Sequence, residues 1–182
     1  SASHEPTNPT VSQAMALSIN TAFMSMASQL DLCDIRDTAL AFGVHRADGG
    51  ELQYIPASVL GVNEIAPLTM AVAEAALPNQ GVVCTPIAID RVVKRQTGEE
   101  MTVPKTVCTQ ATTPEVAAGV ISTMRGVIKG GTAGLSNTGD GVDIAGKTGT
   151  TDHSIQTWMT GYSSKVSTSV WVGNVVGEVR LG

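Results

Sequence analysis

Aromatic side chains are scarce in this 182-residue sequence, with two Phe, two Tyr and two Trp. That excludes a core built on large rings and leaves burial to Ala, Val, Ile, Leu and Met. Positive charge is also scarce: 11 Lys and Arg stand against 16 Asp and Glu, a net charge of −5. The densest basic stretch is Arg91, Lys94 and Arg95. A protein that grips a phosphate backbone needs a basic footprint, so nucleic acid is not expected as a partner. No run approaches the roughly 18 apolar residues that cross a bilayer as a helix. Residues 1–12 contain no Lys or Arg and no apolar stretch of the kind that marks a secretory leader. Histidines and cysteines are few, three of each, with no C-x-x-C pair. His4, His45 and His153 lie far apart, so a zinc site has little support and no metal is expected.

What is present describes a folded chain. Hydrophobic residues make up 42% and charged residues 15%, the reverse of a disordered composition. The 19 glycines follow no three-residue period, which excludes collagen. The length suits one domain, or a large part of a bigger one.

Helical signals come first. Residues 1–9 read as a loose start. Thr10 is a good N-cap for a helix over Val11–Leu17. Ser18-Ile19-Asn20 interrupts it, and a second helix follows over Thr21–Leu30, with Phe23, Met24, Ala27 and Leu30 at helical spacing. Ser18 and Asn20 thus fall at a tight helix–helix junction, where their side chains can face a cleft. Asp34 is expected to cap a short helix that ends at Phe42 and Gly43. Residues 48–62 read as loop and short strands. Asn63 is expected to cap a helix to Leu77, with Pro67 in its first turn.

A hairpin is expected next, with arms Pro86–Lys94 and Glu100–Val107 around a turn containing Gly98. Closing it brings Cys84 and Cys108 together. Two small buried thiols are one reading, and a disulfide formed in an oxidising compartment is the other. Thr112 or Thr113 starts a helix from Pro114 to Lys129, ended by Gly130 and Gly131. A Gly-, Ser-, Thr- and Asn-rich loop leads to a strand over Val142–Thr150. Ile155–Tyr162 and Val166–Val175 are β-rich, joined by a short turn at Ser163–Lys165. Helices first and antiparallel strands last favour an α+β fold over βαβ alternation.

Two short motifs carry chemistry: Ser18-Ile19-Asn20 and Lys147-Thr148-Gly149-Thr150. Either alone is weak, since Ser and Asn also cap helices. Together and in this order they resemble the S-x-N and K-T-G motifs of penicillin-binding proteins, the serine D,D-transpeptidases. The stretches MALSINTAFMSMASQL, LGVNEIAPLTMAVAEAALPNQGVVCTPIAI and GKTGTTDHSIQTWMTGYSSKVSTSVWVG are similar to that family around the motifs. The resemblance spans roughly residues 10–176 and has the flavour of the bifunctional class A enzymes of actinobacterial type.

The resemblance implies the fold shared by these proteins and serine β-lactamases, an antiparallel sheet flanked by helices, incomplete in this chain. It implies that Lys147 places positive charge in the cleft and that Thr148 and Thr150 donate hydroxyl hydrogen bonds to a substrate carboxylate. Gly149 lets substrate approach the strand, and the Thr150 amide is one oxyanion-hole donor. Ser18 relays a proton to the leaving amine, and Asn20 binds the substrate's peptide amide. The implied partners are peptidoglycan stem peptides and β-lactam antibiotics, at the outer face of the cytoplasmic membrane, with no cofactor. His153 is expected beside the cleft and not as a catalyst. Trp158 and Trp171 are expected as sheet-face anchors.

One departure stands out. None of Lys94, Lys105, Lys129, Lys147 or Lys165 has a serine three positions upstream, so the sequence contains no S-x-x-K. The family's nucleophilic serine is expected in a segment of the same domain outside this chain, and the chain alone is not expected to acylate. Three rivals remain open here. One is a serine β-lactamase, although no E-x-x-L-N segment is present. Another is a non-catalytic transpeptidase-like binding module. The third is a phosphate-binding loop, because Gly141–Thr148 fits G-x-x-x-x-G-K-[ST]. That loop should open a helix, yet the residues after it read as β.

Overall fold

The computed structural model describes residues 8–181. Most of the expected loose start at 1–9, and His4, lie outside the described residues. The chain opens with α1 (Val11–Leu17), α2 (Asn20–Ala27) and α3 (Leu32–Ala41). The Thr10 cap is a reciprocal box. Thr10 Oγ1 accepts from the Gln13 amide at 3.3 Å, and Gln13 Oε1 accepts from the Thr10 amide at 2.9 Å. The third helix begins earlier than the sequence suggested. Asp31 is its cap, accepting from the Cys33 amide at 2.7 Å, while Asp34 sits inside the first turn.

Residues 48–62 form no strands. A 3-10 turn occupies Pro56–Leu60, and an isolated bridge joins Arg46 to Ile65. Helix α4 runs over Pro67–Ala75 with Ala66 as N-cap, so Asn63 does not cap it. The Asn63 side chain instead brackets Gln53, donating to its carbonyl at 3.1 Å and accepting from its amide at 2.9 Å. Pro67 supplies the helical φ at the first position, which is enough to start the helix there.

The expected hairpin exists with far shorter ladders. Strands β1 (Val82–Cys84) and β4 (Cys108–Gln110) pair at its base, and β2 (Val92–Val93) and β3 (Glu100–Met101) pair near its tip. Pro86 and Pro104 lie between, and neither can donate to a ladder. Gly98 takes φ 72° in the turn. Cys84 and Cys108 stand directly opposite each other and are joined by a disulfide. Cys108 is exposed, which removes the reading of two buried thiols. Cys33 is free and exposed.

Helix α5 (Pro114–Gly130) begins on Thr113, whose hydroxyl accepts from the Val116 amide at 3.3 Å. It buries Ala117, Met124, Val127 and Ile128, a stripe at helical spacing. Strands β5 (Ala145–Thr150), β6 (Thr157–Tyr162) and β7 (Ser167–Val172) form an antiparallel sheet in that order. The first strand starts three residues later than expected, because Asp143 is held outside the ladder by Arg125 of α5. Helix α5 packs on α1 and β5, and α4 packs on β6 and β7. Leu77, Ala117, Met124, Ala145 and Tyr162 make the main core, with Val127, Ile128 and Ala133 as a second cluster. No described helix is long and apolar enough to cross a membrane.

Candidate functional site

The end of α1 and the strand β5 carry the two motifs, and the packing of α5 between them brings the motifs together. Ser18 closes α1 in a left-handed conformation, φ 56° and ψ 48°. The next residue, Ile19, is 4% exposed, so its side chain pins the turn to the core. Asn20 is the first residue of α2. The N-cap of α2 is Ile19, with no side-chain bond, so neither the Ser18 nor the Asn20 side chain caps α2. The Asn20 side chain is exposed and makes no hydrogen bond among the described residues.

The Ser18 hydroxyl meets Lys147 instead. Lys147 Nζ donates to Ser18 Oγ at 2.7 Å and to the Thr148 carbonyl at 2.9 Å. An ammonium has three protons and accepts nothing. One proton of Lys147 is therefore left for a ligand, and Ser18 keeps its own hydroxyl proton free to donate. Burial holds the Lys147 ammonium below the ordinary lysine value.

Thr148 and Thr150 are two residues apart on β5 and share a face, with Gly149 between them. Thr150 is exposed at the strand end. Trp158 stands opposite Gly149, and a Cβ at Gly149 would lie 3.3 Å from the Trp158 Cβ. Trp158 and Trp171 are themselves cross-strand partners on the sheet. Strand β5 is an edge strand among the described residues, so its outer backbone groups are open to an extended ligand.

Thr132 was not legible as a site residue, because it sits in a small-residue loop without periodicity. Its Oγ1 lies 2.5 Å from Thr148 Oγ1. The Thr132 amide donates to the Ala16 carbonyl at 3.0 Å, clamping the end of α5 onto α1. His153 follows β5 in a short turn with φ 60°, and its carbonyl accepts from Arg180 Nε at 3.2 Å. Among the described residues no group of three His, Cys, Asp or Glu is placed to hold a metal.

The phosphate-loop reading fails on backbone geometry. The second half of Gly141–Thr148 lies in strand β5, with no helix N-terminus behind it. Gly146 is needed for sheet packing, since a Cβ there would stand 2.4 Å from the Thr160 carbonyl oxygen.

The chain matches the family model of the penicillin-binding protein transpeptidase domain over residues 2–178. It is 30% identical to penicillin-binding protein 1A of Aquifex aeolicus over 168 residues, covering 91% of this chain and 22% of that one. It is 30% identical to penicillin-binding protein 1B of Haemophilus influenzae over 170 residues, covering 92% of this chain and 21% of that one. It therefore spans about a fifth of the length of these curated relatives. Among solved structures it is similar to the PonA1 protein of Mycobacterium tuberculosis in complex with penicillin V. The TM-score is 0.80 at 27% identity, covering 94% of this chain and 49% of that one.

Proposed function

The chain belongs to the penicillin-binding protein transpeptidase domain family, and from that premise we propose that it supplies the S-x-N and K-T-G side of a D,D-transpeptidase site. The observation that carries this reading is the 2.7 Å bond from Lys147 Nζ to Ser18 Oγ, which joins two motifs 129 residues apart. The substrate is a peptidoglycan stem peptide ending in D-Ala-D-Ala. Its terminal carboxylate sits near Lys147 and accepts from the hydroxyls of Thr148 and Thr150. The remaining Lys147 proton and the local positive charge favour that anion. The peptide lies along the open edge of β5 at Gly149, pairing its backbone with the strand. The Thr150 amide donates to the oxyanion, an interaction worth roughly 3–4 kcal/mol of barrier. Asn20, exposed at the start of α2, binds the substrate's peptide amide.

Ser18 hands its proton to the leaving amine and recovers one from the lysine side. The nucleophile is a serine on an S-x-x-K segment of the same domain, absent from these 182 residues. It attacks the penultimate carbonyl, the terminal D-Ala leaves, and an amine from a neighbouring stem peptide resolves the acyl-enzyme. β-Lactams acylate the same serine. The Cys84–Cys108 disulfide supports a place outside the cytoplasmic membrane, where such bonds persist.

Labelling with a fluorescent penicillin tests the reading. The full-length parent is expected to label, its Lys147→Ala variant to label at least 100-fold more slowly (~3 kcal/mol), and the chain alone not to label. Labelling of the chain alone would put the nucleophile inside it. An unlabelled parent would favour the non-catalytic binding module, and rapid hydrolysis of the drug the β-lactamase reading.

A further inference from the structure

Glu74 on α4 has no part in the site described above, yet it is buried directly behind it. The residue is 8% exposed. Its Oε1 accepts from the hydroxyl of Thr160 on β6. Thr160 stands opposite Lys147 in the sheet, and its Oγ1 is also 3.4 Å from the Lys147 carbonyl oxygen. A line of polar groups thus runs from α4 through Thr160 to the backbone of the residue that holds Ser18. Ser169 of β7 follows Thr160 in the same cross-strand row. Glu74 Oε2 and Ser169 Oγ are both buried without a hydrogen-bond partner.

Among the described residues no cation balances this carboxyl. The ion pairs among the described residues do not include Glu74. Helix α4 has no other ionisable side chain. On β6 the one titratable group is Tyr162, whose phenol is itself raised by burial and by the charge of Glu74. Strand β7 carries none, and Cys84 of β1 is in the disulfide. His45 touches the same helix through Thr69, at 3.3 Å. Arg125 of α5 is paired with Asp143, and Lys147 is turned to Ser18. Burial pushes the Glu74 carboxyl up to about 7, against the opposing effect of the Thr160 bond. A protonated carboxyl is neutral and gains an O–H donor, whereas an ionised one leaves an uncompensated charge in the core.

We propose that Glu74 is a positioning residue for Lys147, acting through Thr160, and that the gain or loss of its proton makes the placement of the Lys147 backbone depend on pH. With the proton on, the Glu74–Thr160 contact runs from the carboxyl O–H to Thr160 Oγ1, the single Thr160 proton goes to the Lys147 carbonyl, and α4, β6 and β5 are held by a neutral chain of hydrogen bonds. With it off, the carboxylate draws in water or moves α4, and Thr160 moves with it. The consequence for catalysis rests on the transpeptidase reading of Lys147.

The test is the pH profile of penicillin acylation in the full-length parent, compared with Glu74→Gln and Thr160→Val. The native protein is expected to lose rate severalfold as pH rises through about 7. Both variants are expected to lack that limb, so that their ratio of rates between about pH 6 and about pH 8 falls towards one. Profiles of both variants that superimpose on the native one, limb included, would overturn the proposal even where the native protein is readily acylated. If Glu74→Gln fails to fold, Thr160→Val decides in the same way. A parent that never acylates would sink the transpeptidase reading instead. The positioning inference is then read by infrared spectroscopy of the same proteins. A buried carboxyl band that titrates near neutral pH and shifts in Thr160→Val supports it, and the lack of such a band overturns it.

Discussion

Ser18 is a non-glycine residue in the left-handed region, and the contacts around it account for that conformation. Ile19 is buried on one side of the turn, and Lys147 takes the serine hydroxyl on the other. Sequence order made Ser18, Lys147, Thr148 and Thr150 candidates, because residue types at fixed spacing are visible in one dimension. Thr132 and Glu74 were not visible. One is a threonine in a loop of small residues, and the other a glutamate in an apolar helix. Their significance comes from neighbours 16 and 86 residues away. At this scale the pH response of stability is predictable. Folding raises the Glu74 carboxyl from 4.5 to about 7, so the folded state holds that proton more tightly than the unfolded chain. The associated stability is fully present below pH 4.5 and is lost as pH rises through about 7. The difference between the limits is roughly 3 kcal/mol. Denaturant unfolding of native and Glu74→Gln chains across that range checks it. The native curve should fall with pH relative to the variant, and parallel curves would refute the assignment.

At the scale of elements, the helices that matter for the site begin on ordinary caps. Thr10 and Thr113 were legible as caps, and both serve as such. Asp34 and Asn63 were not caps, because Asp31 and Pro67 start those helices and Asn63 is engaged by Gln53. Helix α5 has the further task of holding α1 against β5. Its last turn is pressed onto α1 at Gly131, where a Cβ would lie 2.2 Å from the Ala16 carbonyl oxygen. Gly131→Ala is expected to cost on the order of 1–3 kcal/mol through overpacking. It should also disturb Thr132 and Thr148. A fall in the thermal midpoint together with slower penicillin acylation of the parent would show the coupling. An unchanged midpoint would show that α1 and α5 can part without cost.

At the scale of the whole molecule, the sheet has three strands and two outer edges among the described residues. Strand β5 presents one edge to the site. Strand β7 presents the other, with Val170 52% and Val172 51% exposed, and Val175 beyond it is 90% exposed. Apolar groups of this kind beside an unpaired edge favour association. Under the proposal that the nucleophile-bearing segment belongs to the same domain, the chain alone is expected to bind a hydrophobic dye more strongly, mole for mole, than the parent's transpeptidase domain. Equal dye binding would argue that this surface is open in the parent as well.

The order of residues was enough for the class of fold and the identity of the paired motifs. Composition sets what can be buried, periodicity sets helix or strand, and residue type at short spacing sets chemistry. It also showed that no S-x-x-K occurs in the 182 residues. Which residues meet depends on the packing of the elements. It put Lys147 on Ser18, Thr132 on Thr148, and Glu74 behind the strand through Thr160. It also removed the phosphate-loop reading, which the pattern of glycines and lysine had satisfied letter for letter. The physical reason is the same in each case. A hydrogen bond or a buried charge depends on distance and solvent exclusion, and both arise only when α1, α4 and α5 close over the sheet.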